Sequence, residues 1–109
     1  MKRGDIFTAA TGSGFGNKPR PVVVVQADIY SDGPTVLVAL ITDAEHGREP
    51  IRPLVAPDAG NGLRKESAVS TDVLVAVRRR AFGERIGALS ESDRARVDLA
   101  LMLILGFAQ

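Results

Sequence analysis

Arg20 is the residue of this chain whose setting most invites chemistry. It stands between Pro19 and Pro21, at the head of Val22-Val23-Val24-Val25. Each proline fixes its own φ, and Pro21 biases Arg20 towards an extended backbone. Four valines in a row show no alternation, so their strand is expected to be buried on both faces. A guanidinium on a stiffened backbone at the rim of a buried sheet is well placed to hold an anion. From these residues alone a second reading stays open, a surface arginine that solvates a strand end.

Few other groups can join such a site. The chain has no cysteine, which excludes disulfides, zinc–thiolate sites and a thiol nucleophile. It has one histidine, His46, so a His-based catalytic pair needs a different second partner. The formal net charge of +1 gives no overall basic field of the kind that marks a nucleic-acid binder. The charges are nevertheless uneven. Lys2, Arg3, Lys18 and Arg20 dominate the start, and Arg78-Arg79-Arg80 form a second basic run. Between them lies a loop, Thr11 to Lys18, in which Gly12, Gly14 and Gly16 let a ligand approach the backbone closely. No Gly-Lys-Ser/Thr follows, and the next element is a strand rather than a helix, which excludes a nucleotide P-loop.

The elements that must position these groups fit in one domain, residues 1–109, large enough to bury a core without metal or disulfide staples. Gly4 to Ala10 reads as a first strand and Pro21 to Ala27 as the second. Tyr30-Ser31-Asp32-Gly33-Pro34 is a turn, and Thr35 to Thr42 is a third strand, again without alternation. Two such strands joined by a short turn imply a hairpin in the middle of a closed or well-covered sheet. Asp43 to Glu49 is a loop. Ile51, Leu54 and Val55, punctuated by Pro50, Pro53 and Pro57, can form only a short edge strand. Asp58 to Gly62 is a turn, Leu63 to Val69 leads into a further strand, and Val73 to Val77 is the next. Gly83 and Gly87 mark turns around Ile86.

Ser90 is a candidate helix cap that Asp93 can answer, opening a helix from Glu91 to about Leu105. Towards its end this helix is apolar nearly all round. It therefore either packs on another chain or sinks into its own barrel. Strands first and one helix last give a mainly β, or α+β, small barrel. The opening Met1-Lys2-Arg3-Gly4-Asp5 lacks the apolar core of a signal peptide, and the run from Leu99 to Phe107 is too short to span a bilayer. A cytoplasmic protein with no membrane association is the expectation.

Five segments, in order, resemble the MazF/PemK toxin family. Lys2-Arg3-Gly4-Asp5-Ile6-Phe7 is similar to its opening, and Arg20-Pro21-Val22-Val23-Val24-Val25-Gln26 to its Arg-Pro-Val-Val-Val strand. Val38 to Thr42 resembles its third strand, which ends on Thr. Gly62-Leu63-Arg64-Lys65-Glu66-Ser67-Ala68-Val69 resembles its Gly-Leu-x-x-x-Ser-x-Val segment. Ile86-Gly87-Ala88-Leu89-Ser90 resembles the stretch before its last helix. Each piece is weak alone, and the ordered set covers nearly the whole chain.

The resemblance implies an SH3-like barrel of the CcdB/MazF type with a C-terminal helix, acting as a homodimer. It implies a sequence-selective endoribonuclease that cuts single-stranded RNA without metal or other cofactor. The 2′-hydroxyl would attack the adjacent phosphate, leaving a 2′,3′-cyclic phosphate and a 5′-hydroxyl. An antitoxin with an acidic tail would neutralise it. The family's catalytic Arg and Thr fall on Arg20 and Thr42. Such donors suit a transition state that gathers charge on phosphoryl oxygens. Arg20 can offer two parallel donors, but it is a poor general base at its normal pKa.

Ser13, Phe15, Lys18, His46 and Ser67 are the candidate RNA contacts. Phe15 can stack a base among its glycines. Ser67 is either a site residue or a buried structural serine. His46 either touches RNA or has no role. Arg78 to Arg80 form a solvated face or meet phosphates or an acidic partner. The loop from Thr11 to Lys18 departs from the family: it is short and lacks the Ser-Glu-Gln-Gly-like run that helps relatives read RNA. Two other functions compete on the same fold. One is a non-enzymatic gyrase poison of CcdB type, working through Gly106 to Gln109. The other is an inactive SH3-like binding module.

Overall fold

The computed structural model describes residues 1–12 and 18–108. The described chain is a curled six-stranded antiparallel sheet, a half-barrel, with one helix at its C-terminal end. The strands are β1 (Asp5–Ala9), β2 (Arg20–Val24), β3 (Thr35–Asp43), β4 (Leu54–Val55), β5 (Ser67–Arg78) and β6 (Phe82–Ala88). They lie in the order β4-β5-β3-β2-β1-β6, so the valine hairpin β2–β3 is central, as its apolar runs imply. Val22, Val23 and Val24 are at most 1% exposed, which means that both faces of β2 are covered. One face packs Ile6, Val23, Ala39, Ile41 and Val69 against Val97 of the helix. The other packs Val22, Val24, Val36, Val38, Leu40 and Val77, with Phe7 and Phe82 meeting edge to face at 5.5 Å.

The outer strands of the half-barrel are joined by a loop. Asp58 Oδ1 accepts from the amides of Gly60 and Asn61, both at 2.8 Å, and folds the 58–62 turn. The Ala88 amide then donates to Gly60 O at 2.9 Å, tying β6 to the chain that follows β4. Gly62, at φ +70°, packs directly on Ile86.

Two expectations are corrected. Leu63–Val69 and Val73–Val77 are not separate strands: β5 is one strand of 12 residues. Its pairing with β3 is interrupted between Ala39↔Leu74 and Leu40↔Ser70, and residues 71–73 have no partner on β3. The bulge bends the strand, and its unpaired residues mimic a break in the pattern. Gly83 and Gly87 are not turns but members of β6. There they let a neighbour approach: a Cβ on Gly87 would sit 2.6 Å from Asn61 O.

The helix α1 (Glu91–Ile104) begins as its sequence dictates, with Ser90 Oγ accepting from the Asp93 amide at 3.1 Å. The Asp93 carboxylate turns instead to Arg96, at 3.2 Å. Arg3 clips the helix to the start of the chain through both oxygens of Asp98. The helix buries Val97 and Ala100, while Leu99, Met102, Ile104 and Leu105 stay exposed and Phe107 beyond it is 82% exposed. It is therefore not sunk into its own barrel. Among the described residues no helix is long and apolar enough to cross a membrane.

Crowding at the closing turn sets an expectation for stability. Gly87→Ala should lose about 2–3 kcal/mol in urea unfolding, because the new methyl has to displace the backbone of Asn61. Gly33→Ala, whose Cβ would meet nothing within 4 Å, should stay within about 0.5 kcal/mol.

Candidate active site

The register of the central hairpin brings the first two site residues together. Val22 pairs with Leu40, Val23 with Ala39 and Val24 with Val38. Extending that register by two residues sets Arg20, the first residue of β2, across from Thr42, the penultimate residue of β3. Side chains directly opposite one another on antiparallel strands point to the same face. Both belong to a cavity of 510 Å³ at this end of the sheet, lined also by Leu40, Asp43, His46, Arg52, Lys65, Ser67, Ser70 and Val73.

Each wall has a local origin. His46 closes a short 3₁₀ turn, Ala44–His46, that follows β3 directly. Its Nε2 lies 3.6 Å from Glu45 and the side chain is about half exposed. Ser67, 6% exposed, starts β5 and donates its hydroxyl to Lys65 O at 3.0 Å. That bond serves the local turn and still leaves the Ser67 oxygen able to accept. Ser70 borders the bulge in β5 and Val73 lies within it, so the irregularity shapes one side of the cavity. Lys18 is exposed and does not line it. Ser13 and Phe15 lie outside the described residues.

Among the described residues Asp43 is the one carboxylate that lines the cavity. Lys65 Nζ holds its Oδ1 at 2.8 Å. This hydrogen bond, then the Lys65 charge and more weakly the charges of His46 and Arg20, keep the Asp43 carboxyl below the usual range. The Lys65 ammonium is raised by the same bond. Arg20, Arg52 and Lys65 outnumber that carboxylate, so the cavity favours an anion although the whole chain is nearly neutral. Among the described residues no cluster of His, Asp and Glu could hold a metal ion.

Asp43, Lys65, Ser70 and Arg52 line the cavity without being singled out from the sequence, and Arg52 is the most firmly held of them. Its Nε and Nη2 donate to the two oxygens of Asp72 at 2.9 and 3.1 Å. The pair spans 20 residues of sequence, and Asp72 sits in the bulge, so no motif announces it. The basic run at 78–80 lies elsewhere. Arg78 pairs with Thr35, at the opposite end of β3 from Thr42. Arg79 donates from Nε to Gly33 O at 3.0 Å and from Nη2 to Ser31 O, which makes it a fastener of the β2–β3 connection.

A family model described as "PemK-like, MazF-like toxin of type II toxin-antitoxin system" matches residues 2–105. The chain is 35% identical over 108 residues to the probable endoribonuclease MazF of Mycolicibacterium smegmatis, covering 99% of each protein. Its fold superposes on Mycobacterium tuberculosis toxin MazF-mt6 with a TM-score of 0.77 and 26% identity, over 96% of this chain and 99% of that one. It superposes equally well, TM-score 0.77 at 19% identity, on an endoribonuclease in complex with its cognate antitoxin from a mycobacterial species, covering 100% and 98% of the two chains.

The pairing of Asp43 with Lys65 makes its contribution to stability depend on pH. A lowered carboxyl contributes above its ordinary pKa and loses that contribution as pH falls through the lowered value. A raised ammonium contributes below its ordinary pKa and loses it as pH climbs through the raised value. The bridge therefore persists from mildly acidic to strongly alkaline solution. In an NMR titration Asp43 should titrate below an ordinary aspartate, and Lys65→Met should move it back up towards that range while leaving Asp72 unchanged.

Proposed function

The chain belongs to the PemK-like, MazF-like toxins of type II toxin–antitoxin systems, and from that premise we propose that Arg20 and Thr42 carry an endoribonuclease reaction. The observation that supports the assignment is that Arg20 and Thr42, each two residues beyond the paired stretch of β2 and β3, line one cationic cavity. The substrate is single-stranded RNA and the chemistry is internal transesterification. The 2′-oxygen forms a bond to phosphorus and gives up its proton. The P–O5′ bond breaks and O5′ gains a proton, leaving a 2′,3′-cyclic phosphate and a 5′-hydroxyl.

Charge accumulates on the non-bridging oxygens during this exchange. The Arg20 fork and the Thr42 hydroxyl donate to them from positions fixed before substrate arrives, so little reorganisation is needed at the moment of reaction. The reaction needs no metal, because the stabilising charge comes from side chains. Ser67 and His46 line the same cavity and are the candidate contacts to the flanking nucleotides. Ser13, Phe15 and Lys18, in the segment that joins β1 to β2, are further candidate RNA contacts.

A cognate antitoxin is the protein partner, as it is for the mycobacterial endoribonuclease solved with one. An acidic segment suits a cavity whose cations outnumber its carboxylate. The exposed Leu99, Met102, Ile104 and Leu105 supply an apolar face for a second copy of the chain.

Two measurements test this reading. Purified protein in chelator should cut a long single-stranded RNA at discrete positions, leaving cyclic-phosphate and 5′-hydroxyl ends. Arg20→Ala should slow every cut by about 10²-fold or more with the fold intact; full activity of that variant would remove Arg20 from the mechanism. Met102→Glu with Leu105→Glu should shift the mass measured by light scattering from dimer to monomer.

A further inference from the structure

We propose that Arg52, braced by Asp72, forms a second phosphate subsite in the cavity, holding an RNA phosphate that is not the one being cut. The inference rests on the ribonuclease reading above. Its basis is how completely this arginine is prepared. The backbone of Arg52 is locked by a reciprocal bridge to Arg48, with N···O distances of 3.0 and 2.6 Å. On either side, Ile51 O accepts from the Thr71 hydroxyl, and Pro53 O accepts from the Val69 amide at 3.0 Å. Arg52 is therefore fastened along β5 before and after its own position.

The side chain is held as firmly. Two of the five N–H groups of a guanidinium are taken by Asp72, on the Nε–Nη2 edge. Among the described residues its side chain has no other hydrogen-bond partner, which leaves the Nη1 edge for a ligand. The side chain is 26% exposed, and the residue lines the cavity that also contains Arg20 and Thr42. Asp72 itself does not line the cavity. The carboxylate thus orients the guanidinium from outside and leaves it to meet the ligand.

A surface arginine kept for an ion pair alone would not need a locked backbone and a place in the cavity wall. A planar fork held in advance suits a phosphate, because less rotamer entropy is lost when it binds. A phosphate contact of this kind positions the strand without reading its sequence. Its consequence is a register: with one phosphate on Arg52, the neighbouring chain is drawn across Arg20 and Thr42. Arg52 is in this sense a positioning residue, and Asp72 acts through it.

The test uses wild-type protein, Arg52→Gln and Arg52→Lys, all checked for folding by circular dichroism. Cut sites are mapped first with wild type. An RNA carrying 2′-O-methyl at the cut nucleotide then reports binding by fluorescence anisotropy between 50 and 400 mM salt. Losing one contact to a single strand should lower the slope of log affinity against log salt by about 0.7 in Arg52→Gln. Arg52→Lys should keep most of the slope, because the charge remains, but bind more weakly, because the fork is lost. A methylphosphonate placed singly along the RNA should weaken wild type at one position other than the cut, and Arg52→Gln should not sense that replacement. An unchanged slope and an unchanged methylphosphonate profile in Arg52→Gln would overturn the subsite. So would a changed cleavage sequence with an unchanged slope, which would mean that Arg52 reads a base. Failure of wild type to cut any RNA would instead strike the ribonuclease reading itself.

Discussion

The pairing of β2 with β3 is the constraint on which the rest of the molecule depends. Val22, Val23 and Val24 alternate between two separate cores, and all three are buried. Slipping the register by one residue would exchange the two sets of valines between environments shaped for the others. Arg20 and Thr42 lie just beyond this paired stretch and inherit its alignment. The site residues need no network of their own to find each other. Hydrophobic burial places them, and the prolines beside Arg20 keep the strand extended up to the point where burial ends.

What could be read from the residues follows from how local its cause is. The central hairpin was legible because unbroken valine runs have few interpretations in a chain this short. The start of α1 was legible because a serine cap acts within one turn. The missed features have non-local causes. Residues 71–73 look like a gap between strands, yet they are a bulge within β5, visible only against β3. Gly87 looks like a turn, yet its lack of a side chain serves the distant Asn61 backbone. Arg52 and Asp72 carry no motif, and they meet across 20 residues of sequence with Asp72 in the bulge. Of the residues that line the cavity, Arg20, Thr42, His46 and Ser67 are candidates from sequence and resemblance; Arg52 and its brace are not.

The arginines show why counting charges is a poor guide to where they act. Net charge is +1, but among the fourteen lysines and arginines two groups differ in what they do. Arg3, Arg79 and Arg96 are spent on the fold, bound to Asp98, to the Ser31 and Gly33 carbonyls, and to Glu49 and Asp93. Arg20, Arg52 and Lys65 converge on one cavity. Local focusing of this kind gives an anion a destination even when the average field is weak. The basic run at 78–80 is the most conspicuous in the sequence, yet its middle member is occupied with holding a turn together.

Arg96 carries a consequence of a different kind. From α1 it donates to Leu54 O at 2.6 Å and to Glu49 at 2.6 Å, and Glu49 Oε1 in turn accepts from the Leu54 amide at 3.0 Å. The stretch between, Arg48 to Pro50, is exposed and contributes nothing to either core. One surface side chain therefore pins to the helix the stretch that leads into Arg52. Releasing that pin uncovers polar backbone but hardly any apolar area, so its free energy lies well below that of global unfolding. The placement of Arg48 to Pro50 thus rests on one polar side chain of the helix, whereas the valine hairpin behind it is held by burial.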